Sequence, residues 1–463
     1  MSLEHMLANG WDGAVGEDGL QMLSKALEAG SGVDAASFAG GRALIPESLD
    51  TTLVSVLWSQ DEAKLFKALK RNPIKGPVHQ WNKRTDVGDE DGAWVAEGGS
   101  SFEKDQTIQR KFVETKYLQT KRQVTLQMMA SNSLEDAEAI EKEAGALWIV
   151  RQTERALFDG DSDIVAEQFD GLTKGITSNI VDLRGSDLIT SSAGEDAFIE
   201  GCKKIRDAYG KANTSFMNTS LMEDTQKLLR DRLRVPASGG GSNMGAYVYD
   251  TYPTPFGSFK LNDNIFVRQH DEAQRASTIT AQRPDQVSIA VARAASGALE
   301  SQWATGDAGD YYYQVVAVNK YGDAVASTAV QVTSVVADDK VTITVTDGAT
   351  VGTGFKVYRS EKDAADGSNC RFVTQVARTG ASQEIIDLNA DLPNTSRLYL
   401  LTTDNMYNAI EWEQWLPTMK FQLYPTNAAV NPFLMLMFGA LGLKKEEQMC
   451  IIKNVSYSKD KWY

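Results

Sequence analysis

Three kinds of side chain in this sequence have types and spacings that could do chemistry. The run "DGDSDIVAEQFD" sets Asp159, Asp161 and Asp163 at alternate positions, like the opening of a calcium loop. Such a loop needs glycine at its sixth position and a bidentate glutamate at its twelfth, where this chain has Ile164 and Asp170. The cluster therefore reads as a solvated turn after a helix. His5, His79 and His270 lie far apart with no HExxH spacing, so no metal site or histidine base is expected. Cys202, Cys370 and Cys450 are equally dispersed, without a CxxC pair, and read as buried, idle thiols. The glycines of "SGGGSN" (238–243) lack the flanking strand and helix of a phosphate-binding turn, and neither a GxSxG turn nor a Walker lysine is present. The expectation is a non-enzyme without cofactor. A hydrolase with an accessory β-domain has no nucleophile or paired carboxylates behind it.

Charge is patterned more strongly than chemistry. Between Asp86 and Asp105 the acids Asp86, Asp89, Glu90, Asp91, Glu97, Glu103 and Asp105 surround a single base, Lys104, with Trp94 in their midst. The chain before this stretch is basic (Lys64, Lys67, Lys70, Arg71, Lys75, Lys83, Arg84), and so is the chain after it (Arg110, Lys111, Lys116, Lys121, Arg122). Two strand-like runs, "VHQWNKR" and "RKFVETKYLQTKRQVTLQMM", flank the acidic tip, so residues 78–129 read as a dipolar hairpin suited to docking head to tail on another copy. A merely solvated charged face is the plainer reading. The inter-subunit contact candidates are Asp86, Asp89, Glu90, Asp91, Trp94, Glu97, Lys104, Arg110, Lys111, Lys116, Lys121 and Arg122.

The elements that must position this hairpin follow. A Gly/Ala/Ser-rich arm precedes residue 46 and cannot bury much. After the hairpin, "SLED" at Ser133 looks like a capping box opening a helix that runs to Phe158. Its buried stripe is expected at Ile140, Ala144, Leu147, Trp148 and Ala156, with Glu141, Glu143, Arg151, Glu154 and Arg155 off the stripe. Residues 170–280 alternate short strands with helices, "AFIEGCKKIRDAYG" and "NTSLMEDTQKLLRDRL" being the helices. From 284 to 394 seven short strands with turn chemistry between them signal a β-sandwich of immunoglobulin or fibronectin type. It is expected to interrupt the host where its two ends sit close together, with Tyr311 to Tyr313 as core and cross-strand residues. The 62 acidic and 47 basic residues give a formal charge of −15, which opposes a tight grip on nucleic acid. No apolar run reaches transmembrane length and no signal segment opens the chain, so a soluble cytosolic protein without a membrane partner is expected.

Arm, basic segment, charged hairpin, long helix and α/β domain, in that order, resemble the major capsid proteins of tailed bacteriophages of the Hong Kong 97 type. The likeness rests on "RALIPESLD", on "EKEAGALWIVRQTERALFDGD" followed by "FDGLTKGI", and on "GAYVYDTYPTPFGSFKLNDNIF", resuming with "PFLMLMFGALGLKKEEQMCIIKNV". It implies an α+β fold made of an N-terminal arm (1–45), a peripheral domain (46–77 and 130–169, with the spine helix), an extended loop (78–129), an axial domain (170–283), the inserted sandwich (284–396) and a return to both domains (397–463). It implies hexamers and pentamers of this chain in an icosahedral head, assembled in the host bacterial cytoplasm around weakly contacted double-stranded DNA. Scaffold, portal and decoration proteins are the further partners it implies. A shell of the encapsulin kind is the alternative. Some relatives crosslink through a loop lysine, which here would be Lys104, but no partner asparagine stands out.

Overall fold

The computed structural model describes residues 62–88, 94–100, 103–130, 136–189, 193–230, 250–267, 270, 272–297, 300–425 and 429–463. The N-terminal arm, His5, Asp89, Glu90, Asp91, Ser133 and the "SGGGSN" segment lie outside the described residues.

The described chain opens with a short helix, α1 (Lys64–Ala68), that buries Leu65 and Phe66. Strands β1 (Lys70–Pro73), β2 (Val78–Arg84), β3 (Ile108–Glu114) and β4 (Lys116–Thr125) follow. β2 and β3 pair only with each other, from Val78 opposite Glu114 to Arg84 opposite Ile108. The hairpin is therefore shorter than the sequence suggests. Buried Thr115 donates its backbone N–H to the Pro77 carbonyl and divides what reads as one strand. Beyond it β4 leaves the ribbon, because Leu118 and Val124 face the core, and residues 126–130 form a helical turn.

Helix α2 (Ala137–Asp159) is the longest described, and 23 residues at about 1.5 Å each span roughly 35 Å. Its N-cap is Asp136, whose carboxylate accepts the Glu138 N–H. Ala137, Gly145, Ile149, Ala156, Leu157 and Phe158 make its buried face. A Cβ on Gly145 would meet the Met435 sulfur at 2.7 Å, so the glycine sets how closely helix and sheet approach. The expected stripe is shifted: Ile140, Ala144, Leu147 and Trp148 are only half-buried, while Glu154, expected off the stripe, is fully buried.

Further along come β5 (Ile180–Asp182), α3 (Ala193–Asp207), β6 (Thr214–Met217), α4 (Thr219–Arg230), β7 (Thr251–Thr254) and β8 (Gly257–Asp263). A two-sheet region holds β9 (Ser288–Ala295), β10 (Gly309–Asn319), β11 (Gly322–Asp323), β12 (Val330–Val335), β13 (Asp339–Thr346), β14 (Gly354–Arg359), β15 (Arg371–Ala377) and β16 (Ser382–Asp387). The chain closes with β17 (Thr395–Leu401), β18 (Ile410–Gln422), β19 (Val430–Leu443) and β20 (Cys450–Ser456). Helix α2 packs on a four-stranded sheet ordered β1-β18-β19-β4. Helices α3 and α4 cover a six-stranded sheet, β5-β20-β17-β6-β8-β7, with Phe198, Ile205, Leu221 and Phe259 in the core between them.

In the two-sheet region β16-β13-β9 faces a sheet in which β10 lies between β14 and the β11–β12 edge, with β15 outermost beside β14. Tyr311, Tyr313, Val315, Ile343 and Phe355 share one core, and Tyr312 points to the opposite face of its strand and is half-buried. The chain entering and the chain leaving this region meet where the Asn394 N–H donates to the His270 carbonyl at 2.8 Å, although the strand ends themselves lie apart. Ser288, which opens β9, pairs with Thr346, whereas Asp387, which closes β16, pairs with Val341, and five positions on β13 separate these by roughly 17 Å. The cause is topological: β9 and β16 both run antiparallel to β13, hence parallel to each other. The connecting chain makes up the distance along the side of the region, with Ala273 bridged to Arg371 and the Ser277 N–H bonded to the Asp323 carbonyl.

Candidate assembly surface

The residues whose types suit chemistry are occupied or sealed. The Lys174 ammonium sits inside the acid loop, 2.7 Å from Asp161, 2.8 Å from Asp163 and 3.0 Å from Asp170, so the chain supplies its own cation where calcium would bind. Those carboxylates hold Lys174 above its ordinary range. Among the described residues no group of histidines, cysteines and acids could hold a metal ion. Burial pulls His270 down to about 3, so it is neutral at physiological pH. The three thiols are free and buried, and burial pushes Cys202 up to about 11 and Cys370 and Cys450 to about 12.

One buried acid that sequence reasoning missed joins three parts of the chain. Glu154 of α2 accepts the Leu65 N–H at 2.9 Å and the Phe66 N–H at 2.8 Å, capturing the free amides at the start of α1. Asn264, just past β8, donates its side-chain amide to the same carboxylate at 2.7 Å. Burial raises Glu154 to about 7, against the lowering effect of its three donors. The only signal in the sequence is a charge falling three and four residues from apolar positions of the helix.

The ribbon β2–β3 is the opposite case. Six of seven β3 positions are exposed, Phe112 at 66% and Ile108 at 56%, and Trp94 in the tip is 98% exposed. Asp86 folds its carboxylate onto the Gly88 N–H, and Glu97, Lys104 and Lys111 are exposed. Arg110 donates to the Asn82 side chain across the ribbon at 3.4 Å. Three of the basic candidates are not on the ribbon at all: Lys116, Lys121 and Arg122 belong to β4. Two of these are committed within the subunit, Lys116 to the Ala166 carbonyl and Arg122 to Glu141, whereas Lys121 is exposed. Two unforeseen contacts pin β2 to the body along its length: His79, near the base of the ribbon, lies 3.7 Å from Glu413, and Lys83, one pair from its tip end, pairs with Glu447.

The model of the SU10 major capsid protein family matches residues 34–322, more than half of the chain. The chain belongs to this family. The major capsid proteins of Staphylococcus phage S25-3 and Staphylococcus phage K are each 24% identical to it over 457 residues, covering 94% of this chain and 94% of the relative. Among solved structures, the capsid of a native GTA particle superposes with a TM-score of 0.48 at 10% identity, over 92% of this chain and 100% of that one. The protein is thus a major capsid protein of a tailed phage, a structural component of the virion and not an enzyme.

In this capsid protein the two-sheet region is tied to the body through a buried arginine. Arg359 is fully buried between the rings of Trp303 and Tyr311, at 4.7 and 5.3 Å. It pairs with Asp387 at 2.7 Å and donates to Asn389 at 2.6 Å and to the Tyr463 hydroxyl at 3.1 Å. From the body side Arg184 reaches the Gln302 side chain at 2.8 Å and the Asn389 carbonyl at 2.7 Å. The chain around Tyr463 therefore closes the seam.

Proposed function

We propose that copies of this capsid protein assemble into hexamers and pentamers of an icosahedral head that encloses double-stranded DNA, and that the fold is of the Hong Kong 97 type. In this reading the ribbon and its tip are the extended loop, α2 is the spine of a peripheral domain, and the six-stranded sheet with α3 and α4 is the axial domain. The two-sheet region is an inserted immunoglobulin- or fibronectin-like sandwich that projects from the outer surface. The observation that carries the assembly reading is the ribbon itself, seven residue pairs with Phe112, Ile108 and Val78 in solvent. Isolated two-stranded ribbons are marginal in water; the subunit supports β2 through His79 and Lys83 but leaves six of the seven β3 positions exposed, a surface for another copy to cover. The formal charge of −15 suits a container whose DNA must leave, because tight phosphate contacts would retain it.

Purified protein under assembly conditions is expected to form closed particles by negative-stain microscopy, with density of domain size standing out from each capsomer. Dispersed monomers under every condition would contradict the shell. Particles that lose no outer density when residues 284–396 are replaced by a short linker would contradict the placement of the sandwich.

A further inference from the structure

The two-sheet region joins the body through an entering and a leaving segment, which meet where Asn394 is bonded to His270. Two segments meeting at one place form a hinge, and the angle about it is set only by what is tied beyond it. Toward the acid loop the ties are light. Lys320 and Glu167 pair in solvent at 3.0 Å, the Gln375 amide lies 3.5 Å from the Asp161 carboxylate, and Ile164 comes close to the bare backbone of Gly354. Exposed ion pairs of this kind hold geometry weakly. A firmer tie has to come from another part of the chain.

Residues 457–463 supply it. They follow β20 without helix or strand, and ordering such a segment costs conformational entropy at every residue, so it stays in place only if its side chains are held. Each of the seven has a partner. The Tyr457 hydroxyl accepts the Asn218 side-chain amide at 3.1 Å. Ser458 donates its N–H at 3.0 Å and its hydroxyl at 2.6 Å to the buried carboxylate of Asp224 on α4, and Lys459 pairs with Glu223 of the same helix at 2.8 Å. The segment then crosses the hinge: the Asp460 carbonyl accepts the Asn394 side-chain amide at 3.1 Å, and Lys461 pairs with buried Asp187. On the two-sheet region Trp462 lies 5.9 Å from the Arg371 guanidinium of β15, and the Tyr463 hydroxyl accepts from Arg359 of β14 at 3.1 Å. Gly185 makes room for this passage, since a Cβ there would come within 2.5 Å of Tyr463. We infer that residues 457–463 are a strap that couples helix α4 to the two-sheet region and fixes the angle of that region on the subunit. A displacement of α4 is then carried through Glu223 and Asp224 across the hinge to Arg359. The inference needs no neighbouring copy and stands on a single subunit.

Distances between spin labels test it. Labels are placed on Lys203→Cys of α3 and Thr333→Cys of β12, both exposed, while the native cysteines are buried. The unassembled subunit with an intact strap is expected to give one narrow distance distribution by double electron–electron resonance. A broad one overturns the strap outright. Releasing one end with Trp462→Ala and Tyr463→Ala should widen the distribution at least twofold. Because that pair also takes a partner from Arg359, a second variant releases the other end and leaves Arg359 untouched. Ser458→Ala with Lys459→Glu, which sets a negative charge against Glu223, is expected to widen the distribution as well, and adding Glu223→Lys to narrow it again. Unchanged widths in both variants overturn the strap. Widening by the first variant alone makes Trp462 and Tyr463 parts of the seam and overturns the coupling to α4. Widening that Glu223→Lys does not reverse counts against the anchor on that helix.

Discussion

The ribbon and the two-sheet region are both antiparallel β structure built from strands of similar length, yet they solve the burial problem in opposite ways. In the two-sheet region each strand sends alternate side chains into a core shared by two layers, and even its arginine is stacked, paired and sealed. The ribbon has one layer, no core of its own and aromatic side chains in solvent. Two layers let β structure finish itself; one layer leaves a surface for another molecule to finish. Stability of the free subunit should therefore respond to the first region and hardly to the second.

The largest effect is expected at Arg359. Arg359→Ala leaves Asp387 and the Tyr313 hydroxyl without their buried cation and should destabilise the two-sheet region by about 3–5 kcal/mol, read as a lowered calorimetric transition. A loss below about 1 kcal/mol would show the seam to be ornamental.

Glu154 is next, through pH. Burial raises it from about 4.5 to about 7 on folding, so between those values the folded chain holds more protons than the unfolded one, and stability falls as pH rises through the window. Wild type is expected to lose up to about 3 kcal/mol between pH 4.5 and pH 7 from this group alone. Glu154→Gln should flatten that slope in urea unfolding series, with a residue left by Asp159, which burial raises to about 6. An unchanged slope would mean that Glu154 is not the titrating group.

On the ribbon the effects shrink. Lys83→Ala removes a partly exposed ion pair to Glu447 and should cost the free subunit about 0.5 kcal/mol. Phe112→Ser changes an exposed side chain and should move the free subunit's stability by less than about 0.5 kcal/mol, while lowering particle yield. A folded-state cost of 2 kcal/mol for Phe112→Ser would erase the contrast between the two regions.

How much of this was legible in the sequence depends on how far apart the partners lie. The alternation in "DYYYQVVAVN" is local and fixes Tyr311 and Tyr313 on one face, and the seven short strands expected between 284 and 394 coincide with β9, β10 and β12 to β16. The helices at 193–207 and 219–230 were legible for the same reason. Glu154 was not, because a glutamate on a helix reads as solvated until three donors 88 to 110 residues away are brought to it. The break at Thr115 was hidden because β3 and β4 alternate without interruption and differ only in partner, β2 for one and distant β19 for the other. Lys116 and Arg122 were misplaced onto the hairpin by the same continuity. The acid loop lacks the glycine and glutamate of a calcium loop at its sixth and twelfth positions, and the ammonium that sits among its carboxylates, Lys174, became visible only when the turn closed.

Amide hydrogen exchange over residues 78–84 and 108–114, in the free subunit and in assembled particles, tests most directly that the ribbon is completed by another copy. Exchange there is expected to slow at least a hundredfold on assembly while the core strands β10, β13 and β14 keep their rates. Equal protection of the ribbon in both states would contradict it.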